Sequence, residues 1–249
     1  MKTRNITLAA AALLSMAFTA CVPDIDLKGH AWTGNANYNE DGERINNEFA
    51  LVCNSDNSGT LFISETSADD PMGLCLVMPF SYTWDDNNGT ATIKYENPEE
   101  QKTQTFTMPL SYTKTEGLVA YLDNLKTLLD IPYPNINLTS KNYANPSSLV
   151  STHWVMDFDE EIGEEEEIHY HYELEFVNAT GAVLSLTTTE GGEENLEDRW
   201  NVNYTYSNGV GHTSIYFFGE TIKGGFYLPD ATHMIFSDGE NRLNLVKKN

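Results

Sequence analysis

The sequence predicts an all-β protein built as two small antiparallel up-and-down barrels in tandem. Three observations point there. Apolar and polar residues alternate with a period of two over several short stretches. Turn-forming residues separate those stretches at short intervals. The second half of the chain repeats the first at an offset of 122 residues.

The clearest strand is 168–176. Ile168, Tyr170, Tyr172, Leu174 and Phe176 fall on one face, while His169, His171, Glu173 and Glu175 fall on the other. Side chains of a strand point alternately to opposite faces, so this is a half-buried strand. Phe80, Tyr82 and Trp84 alternate in the same way, as do Val202, Tyr204 and Tyr206. Asn87-Asn88-Gly89 and Asn208-Gly209 then supply hairpin turns. Eight strands are expected in the second copy, near 151–158, 168–177, 182–188, 199–206, 212–218, 224–229, 232–237 and 241–247. Sequential strands with short links close most simply into a barrel, which leaves no edge.

The repeat fixes the domain plan. At 122 residues Leu27 matches Leu149, Trp32 matches Trp154, Gly59 matches Gly181, and Tyr82-Thr83 matches Tyr204-Thr205. Phe49, Leu51 and Cys53 match Tyr172, Leu174 and Phe176 at 123, with the extra residue expected in the turn 54–58 against 177–180. Gly89 is set against Gly209 at 120. One barrel is therefore expected over 27–130 and the other over 149–249. Between them 131–148, rich in Asn and holding Pro132, Pro134 and Pro146, reads as a linker. Leu118, Leu122, Leu125 and Leu129 recur at helical spacing, so 117–129 is either a short helix or two strands around Asp123-Asn124.

The amino terminus carries a separate signal. Lys2 and Arg4 precede an apolar run from Ile6 to Phe18, too short to span a bilayer and suited to a secretory signal over 1–20. The run ends Phe18-Thr19-Ala20-Cys21. This resembles the lipobox of bacterial lipoproteins, with Phe18 where Leu is usual. The resemblance implies that Cys21 receives fatty acyl chains, palmitate among them, and becomes the first residue. Anchoring by more than one chain is lasting. Residues 21–26 would be the tether. Asp24 and Asp26 within it resemble a surface-export signal of some Gram-negative lipoproteins. The expected location is the bacterial cell envelope, on the outer membrane.

Two of the 14 basic residues precede Cys21, which leaves 12 against 37 acidic ones, a net charge of −25. Such a chain repels nucleic acid and anionic lipid, and suits cations or basic protein surfaces. Two cysteines remain beyond Cys21: Cys53 and Cys75. Export permits a disulfide between them, but two buried free thiols also fit.

The Trp on a first strand, followed by a strand that ends in a Gly turn, resembles the lipocalin-like domains of the calycin superfamily, here as a pair. Trp32 and Trp154 hold the position of the family Trp. Gly29 stands three residues before Trp32, where the family has Gly two before, and the second copy has Ser151 and Thr152. The resemblance implies eight-stranded barrels, closed by an Arg laid across the Trp. Arg242 is placed for this in the second copy, and only Lys126 is available in the first.

The inward aromatic stripes are the candidate ligand site, unless they simply fill the barrels. Candidate lining residues are Phe80, Tyr82 and Trp84 in one copy and Tyr170, Tyr172, Tyr204 and Tyr206 in the other. A barrel of eight strands can hold one small ligand or be filled by its own side chains. The acidic run Asp157, Asp159, Glu160, Glu161 and 164–167, with His169 and His171 beyond it, lacks the spacing of a calcium loop and reads as a solvated face. No Gly-x-Ser-x-Gly, His-Glu-x-x-His or phosphate-loop motif occurs. The expectation is a protein that is not an enzyme and needs no cofactor or metal. It would bind a small apolar or aromatic ligand, or a glycan. The alternative is a structural lipoprotein with filled barrels that meets a protein partner through loops such as 157–167 or 190–198.

Overall fold

The computed structural model describes residues 25–248, except 69, 71, 86–87, 98–101, 163–165, 218 and 240. The expected signal sequence and Cys21 lie outside the described residues, as does most of the tether.

Two closed eight-stranded antiparallel barrels follow one another along the chain. Barrel 1 comprises β1 (His30–Glu40), β2 (Glu43–Cys53), β3 (Ser58–Thr66), β4 (Leu74–Asp85), β5 (Asn88–Asn97), β6 (Lys102–Thr113), β7 (Gly117–Tyr121) and β8 (Asn135–Lys141). Barrel 2 comprises β9 (His153–Ile162), β10 (Glu166–Phe176), β11 (Gly181–Glu190), β12 (Glu193–Ser207), β13 (Val210–Phe217), β14 (Glu220–Tyr227), β15 (His233–Ser237) and β16 (Arg242–Lys247). Each strand pairs with the next. β1 closes on β8 (Trp32 opposite Ser140) and β9 on β16 (Trp154 opposite Lys247). The tandem barrels fit a lipocalin-like fold. Among the described residues no helix is long and apolar enough to cross a membrane.

The strands form where alternation predicts them, because the inward residues of each barrel make one packed core. Trp32, Phe49, Leu51, Leu61, Met78, Ile93, Met108 and Leu138 are among those buried in barrel 1. Trp154, Leu174, Phe176, Val202, Phe226, Phe236 and Leu245 are among those in barrel 2.

The duplication extends to individual hydrogen bonds. The Tyr82 hydroxyl donates to the Ser55 carbonyl at 2.7 Å, and the Tyr204 hydroxyl to the Asn178 carbonyl at 2.7 Å. Each latches the fourth strand of its barrel to the turn between the second and third. The Gly29 N–H donates to the Cys53 carbonyl, and the Ser151 N–H to the Phe176 carbonyl. Both residues are left-handed, with φ of 76° and 62°. Glycine adopts that conformation without strain and serine does not.

The register corrects several sequence matches. The turns 54–57 and 177–180 are equal in length, so they absorb no extra residue. The insertion lies instead between β9 and β10, where 163–165 stand against the two-residue turn Asp41-Gly42. In consequence Ala182, opposite Val202, holds the place that Gly59 holds opposite Phe80. Gly89 is matched by Gly211, at 122. Gly89 lies opposite Trp84 and Gly211 opposite Tyr206. A Cβ at Gly89 would collide with the Trp84 ring, and one at Gly211 with the Phe226 ring. Gly209 is a turn residue.

Residues 131–148 are not all linker. Asn135–Lys141 is β8, which completes barrel 1 through buried Ile136 and Leu138. Only 142–152 connect the barrels. The stretch 117–129 is neither one helix nor two strands: β7 is followed by the single-turn helix α1 (Lys126–Leu129). The stretches 157–167 and 190–198, expected as loops, are mostly strand: 157–162 and 166–167 belong to β9 and β10, and 190 and 193–198 to β11 and β12, with a turn at 191–192.

A third apolar cluster lies between the barrels. Ala50, Val52, Phe62 and Cys75, all on the outer face of barrel 1, meet Val210 and Tyr227 of barrel 2, with Val77, Tyr143 and Ile235 beside them. The Phe62 and Tyr227 rings are 4.9 Å apart. Around this patch Ser237 Oγ donates to the Cys75 carbonyl at 2.7 Å, and Asn208 Nδ2 to the Asn54 carbonyl at 3.1 Å. Arg242 pairs with Glu48. Cys53 faces the barrel 1 core and Cys75 this contact, and both are free thiols. They occupy opposite faces of one sheet, so the disulfide is not formed. Burial pushes both thiols up.

His212 Nε2 lies 3.2 Å from Thr60 Oγ1 across the same contact, and burial holds its pKa below the usual 6.5. As pH falls, the unfolded chain takes up this proton first. The contact should therefore keep its full stability above pH 6.5 and lose part of it as pH drops further. Urea midpoints at pH 7.5 and 5.5 test this. His212→Gln should reduce the difference between them, and an unchanged difference would remove His212 as its source.

Candidate functional site

The two barrels differ most at one end, the end that carries the turns between the first and second strands. In barrel 1 the chain between β7 and β8, residues 122–134, folds back over that end. Leu122, Leu125 and Ile131 enter the core, at most 5% exposed. Tyr133 follows them, and its ring packs edge-on against Phe49 and Tyr38. Its hydroxyl donates to Asn47 Oδ1 at 2.5 Å, and Asn47 Nδ2 donates to Glu65 Oε2 at 3.0 Å. Burial and then the Glu65 charge push the Tyr38 hydroxyl up to about 12. This end is plugged, and the buried amide of Asn47 is paired on both its oxygen and its nitrogen.

Among the described residues barrel 2 has no such plug. The β15–β16 connection is only 238–241. The long strands β9 to β12 carry their inward face past the shorter β15 and β16. Where barrel 1 has Gly34, Ala36 and Asn47, barrel 2 has Met156, Phe158 and Tyr170. These three, with Ile168, Tyr172, Leu186 and Trp200, form a continuous half-buried lining. Phe158 and Tyr170 stack at 4.9 Å and 5°, and Phe158 and Tyr172 lie at 6.3 Å and 14°. Burial raises the Tyr172 hydroxyl above its ordinary range. Met72, from barrel 1, packs against the same core.

Compared with known proteins, the chain matches no protein family, no curated protein and no solved structure.

Of the seven aromatic residues expected to line a chamber, Tyr170 and Tyr172 belong to this open lip. Phe80, Tyr82 and Tyr204 fill the interiors at 4–6% exposure, and Trp84 packs half-buried on the barrel 1 core. Tyr206 lies at the opposite end of barrel 2. It stacks on Phe226 at 6.0 Å, and its hydroxyl reaches Asn145 of the interbarrel segment. Met156, Phe158 and Trp200 are additions to the expected set. The first two continue the alternation from Trp154, and Trp200 continues it backwards from Val202.

The barrel-closing residues are corrected in part. Trp32 and Trp154 are both buried, at 4% and 1%. The Trp32 indole donates to the Leu27 carbonyl, and the Trp154 indole to Thr152 Oγ1, which itself donates to the Leu149 carbonyl. Arg242 does not cover Trp154. Leu243 and Leu245 point inward, so Arg242 points outward to Glu48. The cation over Trp154 is Lys247, 5.9 Å from the ring. In barrel 1 Lys126 pairs with Asp123 at 3.2 Å.

The His and acidic face of β9 and β10 is a ladder of cross-strand pairs. His169 Nδ1 lies 2.6 Å from Asp159, and His171 Nδ1 lies 2.6 Å from Asp157. His153 pairs with Glu173 at 2.9 Å. Hydrogen bonding to Asp159 raises the His169 pKa. Among the described residues no three His, Cys, Asp or Glu side chains converge so as to hold a metal ion.

Proposed function

We propose that this protein is a bacterial envelope lipoprotein, anchored through Cys21, and a non-enzymatic binding module whose ligand seats on the aromatic lip of barrel 2. The half-buried aromatic lining at the end of barrel 2, where the described residues form no plug like that of barrel 1, carries this reading. A buried aromatic face releases water over a large area, and tyrosine hydroxyls at its rim orient a guest. The ligand class is a small apolar or aromatic molecule or a glycan. The acidic surroundings favour a neutral or cationic one.

The test titrates a neutral naphthylamine dye and soluble oligosaccharides into the protein and follows tryptophan fluorescence, since Trp200 lies in the lip. Saturable binding is expected from one of the two classes. Tyr170→Ala should weaken it by about tenfold, the loss typical of a residue central to an interface. Tyr206→Ala should leave the affinity unchanged. In cells, Cys21→Ser should release the protein from the membrane fraction.

A second reading has its own support. The barrel interiors are packed, and Val150 and Val177 stand 40% and 50% exposed at adjoining loop tips of barrel 2. These tips suit a protein partner. Failure of both ligand classes to bind would leave this reading in place of the first.

A further inference from the structure

We infer that the cleft between the barrels is a second binding site, for a small monocarboxylate with an apolar tail. It stands independently of the lip. The cleft encloses about 220 Å³ and is lined by both barrels. That lies below the roughly 300 Å³ at which pockets for drug-sized ligands begin, so its occupant is small.

The floor is apolar. Ala50 and Phe62 come from barrel 1, Tyr227 and Ile235 from barrel 2. The rim carries three charges: Lys141, Arg242 and Glu48. Arg242 is 9% exposed and pairs with Glu48 through Nη1, while its Nε donates to Asn244 Oδ1 at 2.9 Å. The guanidinium has five N–H donors, so this arrangement leaves donors over. Lys141 makes no ion pair among the described residues. Cations therefore outnumber anions by one here, in a chain whose sequence carries −23 overall.

Attraction of an anion to so acidic a protein needs such a local excess. One carboxylate neutralises it. Its oxygens would accept from Lys141 and from the free donors of Arg242, and charge-assisted bonds of this kind are the strong ones. Its carbon chain would lie along Phe62, Tyr227 and Ile235. Pockets between domains are common ligand sites because two surfaces supply convergent groups.

The test uses the full chain without its signal sequence and titrates acetate, butyrate, hexanoate and benzoate at constant ionic strength, read by calorimetry. Saturable one-to-one binding is expected, tighter with tail length from acetate to hexanoate. Hexanamide, uncharged, should not bind. Lys141 is exposed and unpaired, so Lys141→Gln should fold normally and weaken hexanoate by about tenfold or more, the value of a lost charge-assisted bond. Tyr170→Ala should leave hexanoate binding unchanged, which separates this site from the lip. Absence of saturable binding for every acid, or equal affinity in Lys141→Gln, would overturn the inference.

Discussion

Phe226→Ala is expected to destabilise the protein by about 3–5 kcal/mol, the range for a large aromatic truncated in a packed core. Phe226 is fully buried and central to barrel 2. Its ring meets Phe176 at 5.4 Å, Tyr206 at 6.0 Å, Tyr204 at 6.2 Å and Phe236 at 6.3 Å. Gly211 lies beneath it with no room for a Cβ, so the backbone there is fitted to the ring. Removal leaves a void that closed strands cannot collapse to fill. Hydrogen exchange should show the loss in barrel 2 first, with barrel 1 amides largely protected. Urea denaturation gives the magnitude. A loss below about 1 kcal/mol, far under that of a packed aromatic, would mean that barrel 2 holds a chamber and not a core.

Phe62→Asp should separate the barrels without unfolding either. Phe62 is 2% exposed, but it lies on the outer face of β3, against Tyr227. Leu61 and Ile63, its inward neighbours, hold barrel 1 together and are untouched. An unpaired carboxylate at the contact would cost several kcal/mol if it stayed buried. The barrels can avoid that cost by parting, so the penalty is limited to the free energy of the contact. The native protein should unfold in one urea transition and the variant in two. Small-angle scattering should show a larger radius of gyration for the variant. A single transition at the native midpoint would show that the contact contributes little.

Much of the barrel plan was legible because alternation depends on chain geometry alone. Residues 168–176 can bury one face only as a strand, and the same pattern recurs 122 residues apart. The eight strands of barrel 2 lie close to the expected ranges. β8 was hidden because only Ile136 and Leu138 are buried on it, between prolines and asparagines that favour turns. Small shifts of register were hidden as well. Matching Gly89 to Gly209 rests on residue type, whereas strand pairing sets Gly89 against Trp84 and so equates it with Gly211. Of the lip, Tyr170 and Tyr172 could be named from the pattern. Their exposure could not, because it follows from the length of a distant connection.

By itself, then, the sequence determined the strand class, the duplication and the inward face of most strands, since each is a local periodicity. Tertiary structure alone decided which inward residues are core and which are lip. The plug 122–134 reaches its barrel end through contacts with β1 and β2, far away in the chain. It also decided that outward Val52, Phe62 and Cys75 are buried, and that Arg242 meets Glu48 rather than Trp154. These outcomes depend on how two closed surfaces meet, and alternation along one strand carries no information about a second barrel.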